Sequence, residues 1–80
     1  MEKEEFVKTI GTSIRNRREE KNLSLEKLAF EAGIEYSQLS RIETGKINTS
    51  IYNAYNIARA LGISMAELFV AMSMFCLSLF

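Results

Sequence analysis

The 80-residue sequence has no histidine, no aspartate, no proline and no tryptophan, and its one cysteine is Cys76. Without histidine or a second cysteine, the chain cannot assemble the usual soft or imidazole ligand set of a transition-metal site, nor close a disulfide on itself. Catalytic triads that use histidine as base are excluded as well. An enzyme is therefore not expected, nor is a metal or other cofactor. An excess of one charge is also missing. Ten Lys and Arg face ten acidic residues, all of them glutamate, so the chain as a whole is no polycation. The one long apolar run, Leu68 to Phe80, is shorter than the roughly 20 residues that cross a bilayer, and no membrane span is expected. The opening MEKEEF is acidic and polar, the reverse of an export signal. Together with the low cysteine content this leads to an expected cytoplasmic location.

What is present suits one small folded domain. An apolar fraction of 48% and a charged fraction of 25% are ordinary for globular chains and argue against disorder. Phe6, Ile10 and Ile14 recur at helical spacing and predict a helix from about Glu4 to Lys21. Gly11 lies inside it, which costs about 1 kcal/mol relative to alanine and implies a close helix contact. Ser24 is a suitable N-cap for a second helix, with Leu25, Leu28, Ala29 and Ala32 inward and Gly33 as its left-handed end. A third helix begins near Tyr36, with Leu39 and Ile42 inward, and stops at Gly45. Ser50 caps a fourth, lined by Ile51, Ala54, Ile57, Ala58 and Leu61 and closed by Gly62. Ser64 and Glu67 form a capping box that opens a fifth. The expectation is five short helices and no sheet.

The stretch Leu25 to Gly45 carries the most information. Two short helices joined by so tight a turn must cross steeply, so Ala29 has to be small and Gly33 must supply a positive φ. Ile34, Leu39 and Ile42 fill the angle between them. This pattern fits a helix-turn-helix, whose second helix is presented outward to a DNA major groove.

The segments IRNRREEKNLSLEKLA, AGIEYSQLSRIETGKINTS and IARALGISMAELF resemble the helix-turn-helix family of phage repressors and Cro, the XRE family, from about Ile10 to Phe69. The resemblance implies an all-α, compact five-helix bundle of the lambda-repressor-like type over residues 1–69, with an apolar extension over 70–80. It also implies sequence-specific binding of double-stranded operator DNA by a dimer, with the recognition helix at about 36–43. Tyr36, Ser37 and Arg41 match the base-contacting positions. Arg41 can pair with guanine, although on an arbitrary helix it would read as a solvated arginine. Gln38 and Ser40 fall nearer the phosphate backbone. Lys46, Asn48, Thr49 and Ser50 resemble the family's phosphate-gripping loop, where the family often has proline at the position of Thr49; Ser50 also serves as an N-cap. Arg18 and Glu43 match a structural ion pair. Arg15 and Arg17 read as a solvated face.

Residues 70–80 contain no charge. A helix continuing from Met65 would place Leu68, Phe69, Met72, Phe75, Cys76 and Leu79 on one broad apolar stripe. Exposed apolar surface of that extent marks an interface, and a twofold dimer through the tails is expected. The alternative is a tail folded back over its own core. A second function class also stands: a protein-interaction module, antitoxin-like or regulator-binding, that keeps the fold and docks a protein partner through the tail. Near-neutral charge and Glu35 favour that module, whereas Arg41 and the 46–50 loop favour DNA and a repressor.

Overall fold

Three serines start helices. The Ser24 hydroxyl accepts a hydrogen bond from the Lys27 amide at 3.0 Å, and the Ser50 hydroxyl accepts one from the Asn53 amide at 3.1 Å. At Ser64 the box is reciprocal: the Glu67 amide donates to the serine hydroxyl at 3.1 Å, and the glutamate side chain accepts from the Ser64 amide at 3.5 Å. Each cap satisfies a first-turn amide that the helix itself leaves unpaired. Left-handed Gly33 (φ 70°) and Gly62 (φ 73°) terminate the helices that Ser24 and Ser50 open.

The computed structural model of the chain describes residues 2–69. They form α1 (Lys3–Glu20), α2 (Leu25–Ala32), α3 (Tyr36–Glu43), α4 (Ile51–Leu61) and α5 (Met65–Leu68). No strand occurs among the described residues, and no helix there is long and apolar enough to cross a membrane. The all-α, five-helix arrangement expected from the sequence is the one observed.

The core is the set that the periodicities single out. Ile14, Leu28, Leu39, Ile42, Ile57, Leu61 and Leu68 are all but inaccessible, each contributing about 1.5–3 kcal/mol by burial. α2 packs on both α3 and α4, and α1 lies across α3. Gly11 explains how α1 comes so close. A Cβ built there would overlap the carbonyl oxygen of Ile42 and lie 2.7 Å from that of Glu43. The missing Cβ lets α1 rest directly on the backbone at the end of α3.

Four expectations need correction. Ile51 is 83% exposed, because it begins α4 and no other helix among the described residues covers that first turn. Phe6 sits at the edge of the core rather than within it, stacked at a tilt on Phe69 with ring centroids 6.4 Å apart. Arg17 is not a solvated arginine: its guanidinium donates to the Glu67 carbonyl at 3.0 Å and lies 3.8 Å from the Glu67 carboxylate, tying α1 to α5. Leu68 faces its own core with no accessible surface, so it cannot contact a partner, and Phe69 is half-buried against Phe6. The other residues expected in the tail interface, Met72, Phe75, Cys76 and Leu79, lie outside the described residues.

Candidate nucleic-acid interface

The two sides of α3 differ in a way its sequence dictates. Leu39, Ile42 and Glu43 are buried on one side. Ser37 and Arg41 are exposed on the other; Tyr36 is exposed in the first turn, seven residues before Glu43 and so above it, and Gln38 and Ser40 are half-buried. The tight turn before α3 depends on Gly33, whose left-handed conformation lets the Ile34 amide reach the Ala29 carbonyl at 3.0 Å. α2 thereby becomes the platform from which α3 projects.

The far end of α3 is held just as firmly. Gly45 takes φ 76°, and the chain folds back so that the Lys46 amide donates to the Arg41 carbonyl at 2.9 Å. The Thr44 hydroxyl donates to the Ser40 carbonyl at 3.0 Å. These bonds place exposed Lys46 directly after Arg41 on one surface. Asn48 and Ser50 follow, also exposed, with Thr49 half-buried between them. The Asn48 side-chain oxygen accepts from the Thr49 amide at 3.0 Å. Ser50 then caps α4, whose amino end points out of the loop. Amides at such an end favour an anion such as a phosphate oxygen.

Beneath this surface runs the one buried ion pair among the described residues. The Arg18 guanidinium forks onto Glu43, with its Nε 2.8 Å from Oε2 and its Nη2 3.1 Å from Oε1. A third bond, from Nη1 to the Leu23 carbonyl at 2.8 Å, completes the arginine's anchoring. The hydrogen bond to Glu43 raises the guanidinium above its ordinary value, with burial opposing. The pair fixes α1 to the end of α3 and neutralises the only acidic residue between Ser37 and Arg59.

Lys8 belongs to this surface and was not singled out in the sequence. A Cβ on Gly45 would meet the Lys8 Cα at 3.0 Å, so exposed Lys8 lies alongside the loop that follows α3. Its role depends on where α1 crosses α3, which periodicity within α1 does not encode. The opposing charge is Glu35, exposed at the start of α3. Among the described residues, no cluster of acidic or cysteine side chains could hold a metal ion.

A helix-turn-helix family model, HTH_3, matches residues 14–68. The chain is similar to the uncharacterised HTH-type transcriptional regulator y4dJ of Sinorhizobium fredii, with 34% identity over 61 residues, 76% of this chain and 79% of that protein. It is 38% identical over 60 residues to the control protein C.MunI of a Mycoplasma species, covering 74% of this chain and 81% of the other. Among solved structures, the restriction-modification controller protein C.AhdI of Aeromonas hydrophila superposes with a TM-score of 0.77 at 38% identity, covering 79% of this chain and 96% of that one.

Proposed function

The chain belongs to the HTH_3 helix-turn-helix family, and from that premise we propose that it is a DNA-binding transcription regulator that reads operator sequence with α3. The observation that carries this reading is the exposed side of α3, where Ser37 and Arg41 stand clear of the bundle while Leu39 and Ile42 anchor the opposite side, with Tyr36 exposed in the first turn. A helix presented in this way fits the major groove, which is about 12 Å wide. Arg41 donates bidentately to guanine O6 and N7. Ser37 donates to a base or phosphate, and Tyr36 packs on a thymine methyl. Gln38 and Ser40 at the flanks, with Lys46, Asn48, Thr49, Ser50 and the amino end of α4, hold the phosphate backbone and set the register. Lys8 adds a cation beside them.

The regulator acts as a homodimer. Tyr52 (72% exposed) and Tyr55 (51%) stand one turn apart on α4, and exposed aromatics of this kind suit a twofold contact. Two copies of α3 then occupy successive major grooves about 34 Å apart and repress by blocking the promoter. The similarity to control proteins makes the promoter of a restriction-modification operon the first operator to test.

A salt titration on random duplex separates this function from a protein-docking module. Affinity should fall with salt, with a log–log slope of about −0.9 for each phosphate neutralised. No binding at low salt, or binding indifferent to salt, would sink the DNA reading. Selection from a random DNA pool then yields the operator.

A further inference from the structure

The outward side of α3 does not stop at the last residue of the helix. Thr44 follows Glu43 with a right-handed helical backbone (φ −87°, ψ −2°), so it carries the helical spacing one step further. At about 100° per residue, Ser37, Arg41 and Thr44 fall within an arc of about 60°, and all three are exposed. Leu39 and Ile42 are buried across the helix from them.

Every hydrogen-bond donor of Thr44 is already engaged. Its amide donates to the Ser40 carbonyl at 3.1 Å. Its hydroxyl donates to the same carbonyl at 3.0 Å and lies 3.3 Å from that of Arg41. These bonds hold Oγ1 against the helix backbone, and because both γ atoms branch from one Cβ, fixing the oxygen fixes the methyl as well. Thr44 therefore offers DNA a methyl group held in one orientation. Phosphate oxygens are held by donors, and Thr44 has none to spare. The major groove carries an apolar group of its own, the C5-methyl of thymine, and a threonine methyl is among the groups that pack on it.

We infer that Thr44 is a further specificity-determining residue, its γ-methyl packing on the C5-methyl of a thymine in the operator. The inference rests on the DNA reading proposed for α3 and extends the row of reading side chains to Ser37, Arg41 and Thr44. The hydroxyl acts within the protein: it locks the rotamer, so that little side-chain freedom is lost when the methyl meets the base.

The two methyls can be removed one at a time. Deoxyuridine in place of thymine takes the methyl from the DNA, and Thr44→Ser takes it from the protein while keeping the hydroxyl that bonds Ser40. Selection from a random duplex pool with the parent chain supplies the operator, in which each thymine is then replaced in turn. At one position of each half-site the replacement should weaken binding by the parent about fourfold, the worth of one buried methyl. Thr44→Ser should bind the thymine operator more weakly by the same factor per half-site, and replacement at that position should then change nothing. A Thr44→Ser chain as sensitive as the parent to every replacement would overturn the inference and leave the DNA reading standing. So would equal losses on operator and random duplex, which would make Thr44 a backbone contact. A pool from which the parent selects no sequence would remove the operator reading and this inference together.

Discussion

At the residue scale the decisive distinction is between side chains that hold the scaffold and side chains that read sequence. Arg18 and Glu43 belong to the first kind. Removing one partner strands a charge with little access to water, so Arg18→Ala should lower stability by about 3–5 kcal/mol in urea unfolding. Replacing both with apolar residues of similar volume, Arg18→Met with Glu43→Leu, should cost far less. Equal losses for the single and double variants would show that the charges do more than satisfy each other. In the proposed function Arg41 belongs to the second kind. Arg41→Ala should leave the unfolding midpoint near that of the parent and weaken operator binding by about 1–3 kcal/mol, with discrimination lost at one base position. A comparable loss on random duplex would instead make Arg41 a phosphate contact. The outward side of α3 was legible in the sequence because Leu39 and Ile42 fix the inward one. Arg17 and Lys8 were not legible: their partners, Glu67 and Gly45, lie far along the chain, and only the crossing of α1 over α3 and α5 brings them together.

At the element scale, local signals set the helix ends and long-range packing decides what each helix does. Ser24, Ser50 and Ser64 with the positive-φ glycines fix the boundaries well, since caps act within one turn. Ile51 shows the limit of such reading. Its spacing to Ala54 continues the inward stripe of α4, but whether a partner covers the first turn depends on elements remote in sequence. Gly11 turns the usual propensity rule around. On an open helix Gly11→Ala would stabilise by about 1 kcal/mol. Here the new methyl meets two carbonyl oxygens of α3, and the substitution should destabilise by about 1–3 kcal/mol, as overpacking does. Thermal unfolding decides the sign. The brevity of α5 makes it dependent on α1 in a similar way. The buried Ser13 hydroxyl donates to the Leu68 carbonyl at 3.0 Å, so Ser13→Ala leaves that carbonyl unpaired and should cost about 1–3 kcal/mol.

At the scale of the whole molecule, the balance of charge shapes how DNA can be bound. Residues 1–5 hold three glutamates against one lysine, so residues 6–80 carry a net +2. The cations that face outward near α3 are few: Arg41, Lys46 and Lys8. One copy therefore neutralises few phosphates and has modest affinity. Joining two copies makes the second half-site contact intramolecular and raises affinity by about 10²–10⁴ without any new contact. If Tyr52 and Tyr55 form the twofold contact, the variant Tyr52→Glu, Tyr55→Glu buries like charges against their symmetry mates and should sediment as a monomer. Its affinity for a two-half-site operator should fall by that same factor, whereas affinity for an isolated half-site should match that of the parent. A variant that still sediments as a dimer would place the twofold contact elsewhere, and an equal loss on both DNAs would mean that α4 itself touches the duplex.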